Sequence, residues 1–142
     1  MTLREIIPGT ADYDQALQLR EKVLRVPLGL RLTPNDLADD ARCTHLGGFE
    51  DTHLVAVLLL HPVDARTVKM RQVAVHPESQ GRGLGAQLVA CAERIAKDRG
   101  FTRMIAHARD TAVGFYVKAG YAAAGANFLE TTIPHRLVTK DL

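Results

Sequence analysis

The chain has 142 residues, the usual size of one folded domain. Its composition, 46% hydrophobic and 24% charged, is that of an ordinary globular protein and excludes a disordered or collagen-like chain. The 18 basic and 16 acidic residues leave a net charge of +2, so we expect no nucleic-acid partner.

Three further absences narrow the class of protein. The longest apolar run, Leu54–Leu60, is far shorter than the ~20 residues that a membrane-spanning helix needs. The N-terminal residues contain no apolar segment of signal-peptide length, and Cys43 and Cys91 match no metal-ligand spacing. We therefore expect a single domain over residues 1–142, in the cytoplasm, with no metal site and no membrane contact.

The first elements are a short strand and an amphipathic helix. Leu3–Ile7 is predicted as a strand, and a helix capped by Thr10 or Asp12 follows, with apolar residues at helical spacing until Pro27. The segment Val26–Asp40 is predicted to be a loop with a short helical piece at Asn35–Asp40. Loops of that length inside a compact domain are often functional, so this one is a candidate lid on the substrate side.

The middle of the chain predicts three consecutive strands, at Cys43–Phe49, His53–His61 and Thr67–Val75. Short turns join them, so an antiparallel meander is expected. The run Leu58–Leu60 predicts that the second strand is buried on both faces. Pro77 ends the meander.

The second half alternates helices and strands. We predict a helix over Gly83–Arg99, a strand over Phe101–Ala106, a helix over Thr111–Ala119, and strands over Tyr121–Phe128 and Ile133–Thr139. The fold class is therefore α+β, or α/β in some classifications: a mixed, mostly antiparallel central sheet with flanking helices.

The most informative stretch is the glycine-rich start of the helix predicted over Gly83–Arg99. Gly81, Gly83 and Gly85 remove three Cβ atoms where the first turn of a helix exposes its unpaired N–H groups. The helix dipole and Arg82 both add positive charge. A phosphate or pyrophosphate group is the expected ligand, and a simple tight turn is the alternative.

This stretch fits one nucleotide-binding pattern and lacks another. The residues 81–86 also fit the dinucleotide pattern G-x-G-x-x-A, which would indicate an NAD(P)-dependent oxidoreductase. That motif follows its strand directly inside a βαβ unit, whereas His76–Gln80 intervene here and the preceding strand is predicted in a meander. A Walker A loop is absent because no Gly-Lys-Ser/Thr follows.

Taken together, five segments resemble the GNAT superfamily of acyl-CoA-dependent N-acyltransferases. Gln80–Gly85 fits the family's Gln/Arg-x-x-Gly-x-Gly/Ala motif, and Val73–Pro77 is similar to the strand end that precedes it. Ala112–Tyr121 resembles the family's Phe-Tyr-x-x-x-Gly-Tyr segment. Leu19–Leu24 and Phe128–His135 are similar to segments of a subgroup of small bacterial members.

The resemblance implies an acyl-CoA N-acyltransferase-like fold with acetyl-CoA as cosubstrate. The coenzyme A pyrophosphate would meet the backbone of the glycine loop. The pantetheine arm would lie along the strand that precedes the loop, where this strand separates from its parallel neighbour. Tyr116 would act as general acid toward the departing thiolate. The implied cofactor-binding residues are Val73, Ala74, Val75, Gln80, Gly81, Arg82, Gly83, Leu84, Gly85 and Ala86.

Two parts of the implied site stay open. Many family members carry an asparagine shortly before the tyrosine, where this chain has Arg109 and Asp110, and no residue is assigned to that contact. The acceptor amine needs a base or a water relay. The candidates for the base are His107, Glu130 and His135, together with His76, Asp36, Asp39 and Asp40.

The function predicted from the resemblance is transfer of an acetyl group from acetyl-CoA to a primary amine by direct attack. The acceptor would be a small molecule or a peptide, and a homodimer is an option. The alternative is a non-catalytic acyl-CoA-binding or sensing module on the same fold, because fold does not determine function.

Overall fold

A computed structural model describes all 142 residues, which form one seven-stranded sheet with helices on both faces. The strands are β1 (Thr2–Ile6), β2 (Thr44–Glu50), β3 (His53–Pro62), β4 (Thr67–Val75), β5 (Arg103–Arg109), β6 (Ala122–Glu130) and β7 (Ile133–Asp141). The helices are α1 (Ala11–Leu24), α2 (Pro34–Leu37), α3 (Leu84–Asp98) and α4 (Val113–Lys118). None of these helices has the length and apolar character that crossing a bilayer requires.

The strand order is β1-β2-β3-β4-β5-β7-β6, and every neighbouring pair is antiparallel except β4 and β5. This arrangement confirms the predicted mixed, mostly antiparallel sheet and the meander of β2, β3 and β4. The βαβ unit that a dinucleotide motif requires is nevertheless present, because β4 is both the last strand of the meander and the first strand of the unit β4-α3-β5. No second such unit follows, since β7 is antiparallel to both its neighbours.

The core consists of two layers on opposite faces of the sheet. Side chains alternate across a strand, so Val57 of β3 packs on the α1 side and Leu58 packs on the α3 side. The α3 layer also contains Tyr116 and Tyr121. Because both faces are covered, Leu58–Leu60 is buried throughout, as predicted.

Several predicted boundaries were displaced by local hydrogen bonding. The short helix in the Val26–Asp40 segment begins at Pro34, because Thr33 accepts from the Asp36 backbone while the Asp36 carboxylate accepts from the Thr33 backbone. The strand predicted from Phe101 begins at Arg103 and continues to Arg109. The helix predicted from Thr111 begins at Val113, after a 3₁₀ turn over Asp110–Ala112.

A buried ion pair fixes the Val26–Asp40 segment to α1. The Arg20 guanidinium donates to both carboxylate oxygens of Asp40, at 2.7 and 3.3 Å, and Arg20 is fully buried. The Tyr13 hydroxyl donates to the same carboxylate at 2.6 Å. Because the end of the segment is held in this way, its residues before Asp40 form one wall of the site described next.

The sheet opens between β4 and β5. Only Thr67–Met70 of β4 pairs in parallel with β5, where its partner is Arg103–Ala106. From there β4 continues to Val75 without pairing on that side. β4 also bulges where Gln72 and Val73 lie opposite Leu58, and Gln72 has a φ of 53°. The divergence, implied by the family resemblance, is therefore present in the structure.

Candidate active site

A cleft of about 1020 Å³ occupies the opening between β4 and β5. One wall is the separated half of β4, and the other comprises the end of β5, α4 and the β6–β7 turn. The end of α1 and the Asp36–Arg42 region close the cleft on a third side. A cleft of this size is large enough for a small-molecule ligand.

The glycine loop lies next to the cleft, to whose lining it contributes Gln80 but none of residues 81–86, and it presents a row of backbone donors. Gly81 and Gly83 have φ values of 79° and 76°, a region that residues with a Cβ rarely adopt. Gly83 precedes α3 and no side chain caps the helix. None of the six backbone N–H groups from Gly81 to Ala86 donates a hydrogen bond within the chain. Such a loop can bind an anion through its main chain.

The side chains of the loop have separate roles. Gln80 donates to the carbonyl of Val75 at 3.0 Å and so ties the loop to the end of β4. The Leu84 side chain is buried, which leaves only its backbone available to a ligand. Arg82 donates to both carboxylate oxygens of Glu50, at 2.8 and 2.7 Å. Its charge is therefore offset by Glu50, which the sequence analysis did not anticipate.

The end of β4 lines the cleft directly. Val73, Ala74 and Val75 all border it, and the side chain of Ala74 is buried in the α1 layer. Gly85 lies behind Val75, because a Cβ built there would be 3.6 Å from that side chain and 3.4 Å from the ring of Phe115. The first turn of α3 is thus packed close to the cleft wall.

Tyr116 lies on α4 and borders the cleft with a free hydroxyl. Its ring packs edge-on against Phe115 and Tyr121, with centroids 5.1 and 5.6 Å away. The hydroxyl makes no hydrogen bond within the chain, whereas the hydroxyls of Tyr13 and Tyr121 each donate to a carboxylate. Burial raises the pKa of Tyr116 to about 12, so the phenol stays protonated at neutral pH. It is therefore available as a proton donor.

The structure brings three of the base candidates together at the other side of the cleft. Glu130 Oε1 lies 3.0 Å from Nδ1 of His107, and Glu130 Oε2 lies 3.6 Å from Nε2 of His135. The ring of Phe128 packs between the two imidazoles. Burial raises the pKa of Glu130, but the hydrogen bond with His107 and nearby positive charges outweigh it, so the pKa is below its usual value.

Lys69 also reaches His107, with Nζ 3.1 Å from the same Nδ1. One ring nitrogen carries either a proton or a lone pair, so it pairs with only one of these neighbours at a time. With Nδ1 protonated the ring donates to Glu130, and with Nδ1 unprotonated it accepts from Lys69. No sequence pattern identifies Lys69 as a residue of the site, because its contact with His107 depends on the parallel register of β4 and β5.

The remaining base candidates divide into two groups. His76 and Asp40 do not border the cleft: His76 caps the turn after β4, and Asp40 is held by Arg20. Asp36 and Asp39 border it, but each pairs with an arginine, at 3.2 and 2.6 Å respectively. Neither acid is a free base.

Arg109 and Asp110 stand where many members of the resembled family carry an asparagine, and only Arg109 borders the cleft. Arg109 borders the cleft and donates to the carbonyl of Leu24 at 2.9 Å, which joins β5 to the end of α1. Burial, together with the charge of Arg25, lowers the pKa of Arg109. Asp110 is exposed in the turn after β5 and does not line the cleft.

Comparisons with known proteins identify the family. The model of the acetyltransferase (GNAT) family matches residues 13–121. YyaT of Bacillus subtilis is 36% identical over 76 residues, which is 54% of this chain and 51% of that protein. The matched stretch thus spans about half the length of that relative.

Solved structures share the whole fold. An acyl-CoA N-acyltransferase from Pseudomonas aeruginosa is 25% identical, with a TM-score of 0.81 over 98% of this chain and 97% of that one. A GNAT family acetyltransferase from Elizabethkingia anophelis with acetyl-CoA bound has a TM-score of 0.78 at 18% identity, over 99% and 97% of the two chains. The fold and the family match agree, and this chain belongs to the GNAT acetyltransferase family.

Proposed function

We propose that this protein transfers an acetyl group from acetyl-CoA to a primary amine by direct attack of the amine on the thioester. Membership of the family makes acetyl-CoA the cosubstrate. The observation that carries the proposal is a cleft lined by an unpaired strand end and a tyrosine with a free hydroxyl, with a loop of unpaired backbone donors directly after that strand.

The cofactor site follows from the hydrogen bonds that the protein leaves open. The N–H groups from Gly81 to Ala86 would hold the pyrophosphate. The backbone of Val73–Val75 would hold the amide-containing pantetheine arm along the unpaired side of β4. Ala74 and Leu84 would contribute through their backbone, because both side chains are buried in the core. Arg82 would stay a minor contributor while it is paired with Glu50.

Tyr116 would act on the departing coenzyme A thiolate as the general acid of the site, by donating a hydrogen bond to its sulfur. A free thiol has a pKa of about 8.5, well below the pKa of Tyr116, so the phenol stabilises the thiolate mainly by hydrogen bonding as the C–S bond breaks. Because the hydroxyl has no partner within the chain, it needs no rearrangement before it donates.

His107 would receive the proton of the amine, with Glu130 as its positioning residue. When Nδ1–H donates to Glu130, the opposite nitrogen Nε2 carries the lone pair. That arrangement of base and carboxylate is the one that orients an imidazole in hydrolytic triads. His135 packs on the far side of the pair and Nδ1 of its ring lies 2.9 Å from the Ile133 carbonyl, which indicates a supporting role.

Two measurements test the proposal. Isothermal titration should show binding of acetyl-CoA and none of NADH, and absence of coenzyme A binding at millimolar concentration would contradict it. A screen of primary amines should then show release of free coenzyme A. Binding without release from any amine would instead support the non-catalytic acyl-CoA-binding module.

A further inference from the structure

The end of the cleft farthest from the glycine loop carries more positive than negative charge. Lys69 lies six residues before Val75, which is about 20 Å along an extended strand, so its surroundings are well separated from the phosphate-binding loop. The cations that border the whole cleft are Arg25, Arg42, Lys69, Arg71 and Arg109, and the carboxylates are Asp36, Asp39 and Glu130.

The acids do not neutralise all of these cations. Asp36 and Asp39 are matched by Arg25 and Arg42, at 3.2 and 2.6 Å. Glu130 lies against His107. The balance therefore leaves the two β4 cations and Arg109 without a dedicated acidic partner.

The two β4 cations, Lys69 and Arg71, form the core of this surface. They are two residues apart and precede the bulge at Gln72, so they lie on the same side of the strand, and both border the cleft. Lys69 makes no ion pair within 4.0 Å and contacts only the imidazole of His107. Arg71 contacts the imidazole of His61 at 3.3 Å and reaches Asp39 only at 4.0 Å.

Burial makes these cations costly to leave unpaired. Burial lowers the pKa of Lys69, and only the more distant charge of Glu130 opposes that effect. Burial, with the charge of Arg71, also lowers the pKa of His61, which favours a neutral imidazole beside Arg71. A half-buried guanidinium and ammonium with neutral partners are the groups that an incoming anion would satisfy.

We propose that the acceptor is a primary amine that also carries a carboxylate or phosphate group, with the anion bound by Arg71 and Lys69 and the amine directed toward His107 and Glu130. The proposal rests on the function proposed above. The negative end of such an acceptor matches the cations Lys69 and Arg71, and its amine end matches the carboxylate of Glu130. A simple alkylamine would leave the β4 cations unsatisfied, and a diamine would meet like charge there.

Matched acceptors test the preference, with release of coenzyme A as the readout. 4-Aminobutyrate is compared with butylamine and 1,4-diaminobutane, and phosphoethanolamine is compared with ethanolamine. We expect kcat/KM to be at least tenfold higher for the better anionic acceptor than for its uncharged counterpart, and lowest for the diamine. The carboxylate and phosphate arms identify which anion the site prefers.

A pair of variants ties the preference to the wall. Arg71→Gln should raise KM for the anionic acceptor at least tenfold while leaving the kinetics of its uncharged counterpart within about twofold. The control Arg66→Gln removes the same charge from the exposed β3–β4 turn, outside the cleft, and should change neither. Equal effects of Arg71→Gln on both acceptors, or no preference in the wild type, would overturn the proposal.

A binding experiment separates this inference from the proposed function. Butyrate and methylphosphonate, which have no amine, are titrated into protein saturated with coenzyme A. At least one should bind with millimolar affinity to the wild type and to Arg66→Gln, and not to Arg71→Gln. If no amine is acetylated but an acid binds in this pattern, the proposed reaction fails and the anion site stands. If neither acid binds, the anion site is refuted.

Discussion

Replacing Tyr116 by phenylalanine removes one oxygen atom from the cleft and no hydrogen bond from the folded chain. The ring contacts with Phe115 and Tyr121 remain, so the free energy of unfolding should change by about 0.5 kcal/mol or less. A loss of rate in this variant therefore reports on the reaction rather than on the fold.

The size of the rate loss follows from the bond that the hydroxyl would make. A hydrogen bond to a charged group is worth about 1.5–3 kcal/mol, which corresponds to a fall in kcat of roughly 10- to 150-fold. The dissociation constant of acetyl-CoA should stay within about twofold, because the bond to the thiolate forms only as the C–S bond breaks. Since the pKa of Tyr116 is about 12, the phenol stays protonated below about pH 10, and its deprotonation should not lower wild-type kcat in that range.

The assay is best followed by loss of the thioester absorbance, because Cys43 and Cys91 are free and react with thiol reagents. Tyr121→Phe is the matched control, since its hydroxyl donates to Glu93 at 2.8 Å. That variant should lose about 1–2 kcal/mol of stability and keep its kcat. An unchanged kcat in Tyr116→Phe, or an equal loss in both variants, would remove Tyr116 from the mechanism.

Three further predictions concern the carboxylates. Glu130→Gln should lower kcat at least tenfold with little change in acetyl-CoA affinity, measured by steady-state kinetics and titration; a loss confined to affinity would contradict its role beside His107. Asp40→Asn should destabilise the fold by roughly 3–5 kcal/mol in urea unfolding, because Arg20 is left buried without its counter-charge. Burial raises the pKa of Asp40, but its bonds to Arg20 and Tyr13 lower it by more, so the pKa in the folded state is below its usual value. The ion pair therefore stabilises the fold above about pH 4 and is lost as pH falls through the lowered pKa; a wild-type urea midpoint that stays constant as pH is lowered below about 4 would refute this. Glu50→Gln should release Arg82 and tighten acetyl-CoA binding severalfold at low salt, an effect that disappears at high salt, and an affinity independent of Glu50 would show that Arg82 stays outside the site.

The features that sequence analysis predicted well are those encoded by neighbouring residues. The glycine loop and the three-stranded meander with its short turns both depend on residues that are near one another along the chain. The grouping of His107 with Glu130 was open in the sequence, since 23 residues separate them. It depends on the antiparallel register of β5 with β7 and of β7 with β6.

The features that could not be predicted are pairings between distant strands and loops. The ion pair of Arg82 with Glu50 joins residues 32 positions apart across two separate turns. The bulge at Gln72 has no glycine to mark it, although the residue adopts a φ of 53°. From the sequence, Lys69 and Arg71 are indistinguishable from solvent-facing residues of a strand. Their place in the cleft depends on the parallel pairing of β4 with β5 and on the point where the two strands separate. Charge in the cleft is therefore a tertiary property of this chain.

The separation of β4 from β5 gives the protein a sheet edge in its interior. Exposed edges usually invite pairing with another copy of the chain, and proteins protect them with charges, bulges or covering segments. Here the edge lines a cleft whose opposite wall is formed by α4 and the end of β5, so these two elements cover it. Only a slender chain with its own amide groups can complete the ladder. The opening thus leaves a strand edge available to a ligand while α4 and β5 cover it against pairing with another copy of the chain.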